Sequence, residues 1–253
     1  MSDTVRLFAD AWKVMVGRLP SPRIEEADGV VSCFGNVPLM FLNISIVDRP
    51  AATPQELRRL LDTAAAHRAT CAHPAGVLVR EDWLPAGWED VVKGAGLAVA
   101  LPMTGMEADE LLPPRRSPPA LEIRRVVDDA TARDLAHVNA HAYHMPPDLF
   151  DCISNMRLWH PDSCGYVGYI DGTAVSAAAA FPVNGTVYVA LVATLPDAQG
   201  KGYAESVMRR AVTHGQQAMG TTRTTLHASD MGMPVYRAMG YRPGPRLILT
   251  APA

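Results

Sequence analysis

One segment restricts the fold of this chain more than any other: Val192-Ala-Thr-Leu-Pro-Asp-Ala-Gln-Gly-Lys-Gly-Tyr-Ala204. Apolar residues run up to Thr194, a proline and two glycines break the pattern, and an amphipathic stretch begins near Tyr203. A strand, a turn and a helix entrance follow one another without a gap. At a helix entrance the first backbone N–H groups have no partner inside the helix, and the positive end of the helix dipole gathers there. Gly200 and Gly202 let an anion approach the backbone with no side chain in between, and Lys201 adds a positive charge. The turn is therefore read as an anion site. It is not one of the other glycine-rich phosphate loops, because neither G-x-x-x-x-G-K-[ST] nor G-x-G-x-x-G occurs in it.

The residues around this turn alternate strand and helix signals. Leu121–Val126 alternates apolar and polar, as a half-buried strand does. Asp128 or Asp129 caps a helix through about Tyr143, which Met145-Pro-Pro147 ends, and a second helical stretch is expected over 147–158. Strands are expected from Gly165 to Ile170, Ala174 to Phe181 and Thr186 to Thr194, joined at Asp171-Gly172 and Asn184-Gly185, both strong hairpin signals. A helix from Tyr203 to Gln217 presents Val207, Met208, Ala211 and Val212 on one face. A strand (Arg223 to Ala228), a short helix (Pro234 to Met239) and a last strand (Arg246 to Leu249) complete a β-α-α-β-β-β-α-β-α-β order. That order implies an α/β fold with a mixed sheet and helices on both faces.

Gln199-x-x-Gly202-x-Ala204 resembles the Q/R-x-x-G-x-G/A signature of the GNAT superfamily of N-acetyltransferases. A second stretch, Leu226-His-Ala-Ser229 followed by Gly232-Met-Pro-Val-Tyr236-Arg-Ala-Met-Gly240-Tyr241, is similar to that family's strand and short helix ending Y-x-x-x-G-F/Y. The two occur in the family's order, inside its element order, and the resemblance covers residues 121–253. It implies acetyl-CoA as co-substrate and direct acetyl transfer to a primary amine, without a metal. Gln199, Gly200, Lys201, Gly202, Tyr203 and Ala204 would hold the pyrophosphate. Val192, Ala193 and Thr194 form the end of the strand whose free backbone groups, at Val192 and Thr194, would pair with the pantetheine arm. The Val192 N–H would face the thioester oxygen, Ser229 would lie beside the arm, and Tyr236 stands at the position of the general acid. The family's strand glutamate is missing from Thr186–Thr194, so the base stays open among His227, Tyr188, His141 and His144, acting directly or through water. No base at all is needed for a weakly basic amine.

His137, His141 and His144 share one helical face. Zinc ligation needs further ligands that the sequence does not supply, so the face is read as part of the acceptor pocket or as a solvated surface. The acceptor is expected to be a small molecule; a protein or peptide amine is the alternative enzymatic reading, and a non-catalytic acyl-CoA-binding module the alternative without turnover.

The remaining expectations are organisational. Leu112-Pro-Pro-Arg-Arg-Ser-Pro-Pro119 cannot sustain a helix or a central strand and reads as a stiff linker between domains at 1–111 and 120–253. The N-terminal half carries strands within Val30–Val47, a helix opened by Thr53-Pro54-Gln55-Glu56 and running to about Thr70, a strand Gly76–Arg80, a short helix Gly87–Lys93 and a strand Leu97–Met103. This repeats β-β-α-β-α-β, the order of a degenerate second copy of the same fold. Its own strand-to-helix junction, Ile46 to Pro54, has no glycine and carries Asp48, so it is not expected to bind coenzyme A. Completing the sheet, walling the acceptor cleft and standing in for a dimer partner are its expected jobs. A net charge of −3 gives no electrostatic footprint for nucleic acid or an anionic membrane. No apolar run is long enough for a membrane span, and no leader is evident. Cys33, Cys71, Cys152 and Cys164 show no paired spacing and read as free thiols. A cytoplasmic monomer or homodimer is expected.

Overall fold

A computed structural model describes residues 4–159 and 163–253. In chain order the elements are α1 (Thr4–Gly17), β1 (Arg23–Ala27), β2 (Val30–Phe34), β3 (Asn43–Val47), α2 (Pro54–Arg68), β4 (Gly76–Arg80), α3 (Trp88–Gly94), β5 (Leu97–Ala108), β6 (Glu122–Arg125), α4 (Asp129–Ala142), β7 (Cys164–Ile170), β8 (Thr173–Val183), β9 (Thr186–Thr194), α5 (Tyr203–Met219), β10 (Thr224–Ala228), α6 (Met233–Ala238) and β11 (Arg242–Pro252). The fold is mixed α/β.

Local chemistry sets most of these boundaries. Asp128 caps α4, its carboxylate accepting the Thr131 N–H at 2.8 Å. Thr53 caps α2 by accepting the Glu56 N–H at 3.2 Å, and the Glu56 carboxylate accepts the Ala52 N–H at 2.8 Å. Both residues of Asp171-Gly172 and of Asn184-Gly185 have positive φ, as the tight turns of twisted hairpins require. Several expectations shift. Residues 147–158 hold only a 3-10 helix, Pro147–Ser154, because two consecutive prolines and a short apolar run do not support a full α-helix. β5 and β11 run well past their expected ends, and α1 and β1 were not expected at all. The α1 residues Val5, Phe8, Ala9, Trp12, Met15 and Val16 recur at helical spacing and are all buried.

Contacts group the chain into two compact units. Among the described residues the first contains 4–106, 227–233 and 243–253. Its strands lie in the order β1-β2-β3-β4-β11-β5, with β3 and β4 parallel and α2 between them in sequence. β11 closes on β4 antiparallel, Leu249 opposite Leu78. A core of Val30, Val47, Leu57, Leu61, Val79 and Ile248 lies in this unit. The second unit contains the described residues of 107–159, 163–226 and 234–242, which include the proline-rich segment. Its strands run β10-β9-β8-β7-β6, all antiparallel except the β9–β10 pair, which is parallel. α5 is the crossover between those two, and it buries Val207, Met208, Ala211 and Val212. Among the described residues no helix is long and apolar enough to cross a membrane.

Candidate active site

The end of β9 outruns its β10 partner on one side and bulges against β8 on the other. On the β10 side the parallel register runs Val187↔Thr224, Tyr188↔Thr225 and Val189↔Leu226 and stops there. On the β8 side Ala190 pairs with Ala179 and Ala193 with Ala177, so Leu191 and Val192 share the space of one residue and form a bulge. Leu191 sits at φ +53°, a left-handed conformation that costs a leucine about 1–3 kcal/mol. Ser176 closes the far side of the bulge. Its hydroxyl donates to the Ala193 carbonyl at 3.0 Å and lies 2.8 Å from Thr194 Oγ1.

Two side chains four residues apart, Asn139 on α4 and Tyr143 at its C-terminal cap, reach this bulge, and neither was singled out from the sequence. Asn139 Nδ2 lies 3.4 Å from the Leu191 carbonyl, and the Tyr143 hydroxyl lies 3.4 Å from the Val192 carbonyl. An asparagine on an apolar helix face and a tyrosine four residues on were the available signal; the bulge they serve had none.

Past Thr194 the chain turns at Pro196 and reaches the glycines. Gly200 and Gly202 have φ +74° and +82°. A Cβ at Gly200 would meet nothing within 4 Å, and at Gly202 the nearest atom is Pro119 Cδ at 3.9 Å. No side chain caps α5 at Gly202. The entrance is therefore an open, glycine-lined cradle headed by backbone donors, which fits a diphosphate. Lys201 Nζ donates to the Asp197 carbonyl at 3.0 Å, and Gln199 Nε2 donates to the Thr194 carbonyl at 3.3 Å, so both side chains brace the turn. The entrance of α2 is closed instead, by the Thr53 hydroxyl and the Glu56 carboxylate.

Tyr236 projects from α6 into a cluster of phenols. Its ring meets that of Tyr241 edge-on at 6.0 Å, and the Tyr241 hydroxyl lies 2.8 Å from Thr224 Oγ1. Burial raises the Tyr236 pKa above the ordinary phenol value, and the neighbouring Tyr143 raises it further. Tyr143 is an exposed residue whose phenol pKa is also raised, by desolvation. Tyr188 is fully buried on β9 and raised well above the ordinary value. Gly240, at φ +100°, completes the turn after α6; a Cβ there would lie 3.2 Å from the Leu112 N.

The expected bases fare differently. Burial pushes the His227 pKa down to about 3, and its ring packs edge-on against Phe8 at 5.0 Å, which makes it a weak base. Tyr188 resists ionisation for the reason just given. His137, His141 and His144 are exposed; the first two rings are 4.0 Å apart, and His144 lies beyond the helix end. Among the described residues no group of three or more histidines, cysteines or acids could hold a metal ion. Ser229 accepts the Gly232 N–H at 3.4 Å in the turn before α6. Val192 to Thr194, Gln199 to Ala204 and Tyr236 fall in one compact unit, whereas His227 and Ser229 group with the other. All four cysteines are free, and burial pushes the Cys33 thiol up to about 12.

Three phenols with raised pKa values set an alkaline limit on stability. Tyr188, Tyr236 and Tyr241 have raised pKa values in the fold against about 10 when unfolded. Their contribution is complete below pH about 10 and is lost as pH climbs toward the folded values, each phenol removing about 1.4 kcal/mol per pH unit. Melting temperature should hold steady to pH 9 and fall steeply above 10. Tyrosinate absorbance should show part of the seven tyrosines ionising only as the protein unfolds. Ionisation of all seven near pH 10 in folded protein would contradict this.

Residues 132–241 match the model of the acetyltransferase (GNAT) family. Among curated proteins none matches. Solved structures are similar along the whole chain. A GCN5-related N-acetyltransferase from Kribbella flavida is 19% identical with a TM-score of 0.71, covering 100% of this chain and 96% of that one. One from Sphaerobacter thermophilus is 15% identical with a TM-score of 0.56, over 98% and 90%. A tandem GNAT protein from the clavulanic acid biosynthesis pathway is 11% identical with a TM-score of 0.52, over 98% and 92%. At these identities the likeness is one of fold.

Proposed function

Residues 132–241 belong to the acetyltransferase (GNAT) family, which makes the protein an acyltransferase, and on that footing we propose that it moves an acetyl group from acetyl-CoA directly to a primary amine of a small molecule. The observation that carries this reading is the bulged end of β9 running into the uncapped, glycine-lined entrance of α5. Backbone N–H groups from Gln199 to Ala204 hold the diphosphate. The strand end Val192–Thr194 pairs with the pantetheine arm, and the Val192 N–H receives the charge that develops on the thioester oxygen. The amine nitrogen bonds to the acetyl carbon, the C–S bond breaks, and the thiolate takes the Tyr236 proton. With no carboxylate on β9 and His227 held neutral, the amine's own surplus proton leaves through water, and water returns a proton to the Tyr236 phenolate to close the cycle. A weakly basic acceptor suits this arrangement best. No metal takes part.

The same proposal extends to the chain as a whole: domains at 1–111 and 120–253 joined by 112–119, the first a degenerate GNAT-like copy. Support comes from the parallel β3–β4 pair with α2 between, which parallels β9, α5 and β10. The closed entrance of α2 keeps that copy from taking coenzyme A. We place the protein in the cytoplasm as a monomer or homodimer that engages neither nucleic acid nor membrane.

Calorimetry with coenzyme A, followed by thiol release from acetyl-CoA across a panel of amines and peptides, tests the reading. One equivalent of coenzyme A should bind, and small amines should drive thiol release ahead of peptides. Uptake with no release by any amine would leave a binding module; no uptake at all would end the acyl-transfer account.

A further inference from the structure

The most telling unassigned polar group lies on α4. Asn139 is completely buried, its Oδ1 has no hydrogen-bond partner among the described residues, and its Nδ2 is shared between the Leu135 carbonyl at 2.9 Å and the Leu191 carbonyl at 3.4 Å. A fully buried amide with an unused acceptor is unfavourable for stability, so a purely structural role explains it poorly.

The partner it reaches gives a better reason. The Leu191 carbonyl and the Val192 N–H belong to one planar, trans peptide group and point in opposite directions. That group lies in the bulge, unpaired in register with β8 and beyond the end of the β10 register. Its orientation is therefore set by whatever holds the Leu191 carbonyl. The next peptide group, which carries the Val192 carbonyl and the Ala193 N–H, meets the Tyr143 hydroxyl in the same way. Asn139 and Tyr143 are four residues apart, so α4 and its C-terminal cap present both donors to consecutive peptide planes from one face. Donation to the carbonyl end of a peptide also polarises its N–H end, making it a stronger donor.

We infer that Asn139 is a positioning residue for the acyl-transfer step: it fixes and polarises the peptide whose Val192 N–H receives charge from the thioester oxygen, with Tyr143 holding the adjoining peptide. This rests on the function proposed above. Both contacts are long, which suits a bond that tightens as charge builds on the far side of the peptide.

Asn139→Leu keeps the size of the side chain and removes both the donor and the unused acceptor, and Tyr143→Phe removes only a hydroxyl. For Asn139→Leu, kcat should fall about tenfold, a fraction of what loss of a direct oxyanion donor does. The KM for acetyl-CoA, the affinity for coenzyme A and the melting temperature should stay within error. Tyr143→Phe should lower kcat about threefold with the same constancy, consistent with one weak hydrogen bond. In an isotope-labelled sample, acetyl-CoA should move the Val192 amide proton downfield in the wild type and less in Asn139→Leu. Unchanged kcat and an unchanged amide shift in Asn139→Leu would overturn the assignment, and so would loss of kcat, coenzyme A affinity and melting temperature in step, which marks a packing residue. Failure of the underlying function looks different: wild-type protein itself takes up no coenzyme A.

Discussion

Gly202→Val should leave the protein folded and weaken coenzyme A binding by about 100-fold or more. The two halves of that expectation come from one geometry. Gly202 sits at φ +82°, and the only atom within 4 Å of a Cβ there is Pro119 Cδ at 3.9 Å, so a Cβ added at this position meets no close neighbour in the free protein. Its cost to the fold is the left-handed backbone alone, about 1–2 kcal/mol. The same open space is where an anion must come to reach the first N–H groups of α5, and a β-branched side chain fills it. Charge-assisted hydrogen bonds to backbone donors are worth about 1.5–3 kcal/mol each, so losing two accounts for the factor. Gly200→Val should behave alike, because a Cβ at Gly200 also meets nothing within 4 Å. Calorimetry with coenzyme A and with pantetheine, which lacks the diphosphate, locates the loss: the variants should bind pantetheine as the wild type does. Wild-type coenzyme A affinity in a folded Gly202→Val protein would show that the diphosphate goes elsewhere.

This cradle was legible because it depends on residue types that have few other uses. Two glycines at a strand-to-helix junction announce a left-handed backbone and an uncovered helix entrance. The contrasting junction before α2 was legible for the opposite reason. Thr53, Pro54 and Glu56 supply their own acceptors and occupy the donors that an anion would need. Hairpin turns at Asp171-Gly172 and Asn184-Gly185 and the cap at Asp128 belong to the same class of local, chemically specific signal.

What escaped notice depends on partners distant in sequence. The β9 bulge is made by Leu191, a leucine at positive φ, and nothing in a Val-Ala-Leu-Val-Ala run distinguishes the residue that will be forced there. The strain is tolerated because neighbouring elements hold it: Ser176 from β8, Asn139 from α4 and Tyr143 from its C-terminal cap. Likewise a strand's apolar pattern does not name its neighbour. β11 closes on β4, 173 residues away at the Val77–Thr250 pair, and that choice is set by packing of Leu249 against the start of β4, where Gly76 leaves room for it. His227 shows the limit for chemistry. A histidine on β10 reads as a candidate base from its residue type alone, and only its packing against Phe8 reveals a ring too weakly basic to keep a proton.

Tyr236→Phe should lower kcat by about 100-fold, the lower end of what a positioned general acid contributes. Coenzyme A affinity should stay within twofold, since the α5 entrance proposed to hold the diphosphate is untouched. Phenylalanine preserves the edge-on packing against Tyr241 at 6.0 Å, so a residue needed only for packing would tolerate the change. Burial and the neighbouring Tyr143 raise the Tyr236 pKa, so the group keeps its proton across the working pH range and is in its donor form when the C–S bond breaks. The protonated form persists below a folded pKa that lies above about 10, so this group should cause no fall in kcat between pH 7 and 9.5. Donor chemistry separates proton transfer from every structural explanation. An aryl thioester releases a thiolate that barely needs protonation, so with such a donor the gap between wild type and Tyr236→Phe should shrink to a few-fold. An equal deficit with alkyl and aryl thioesters would take the proton away from Tyr236 and leave it a packing residue of the short helix.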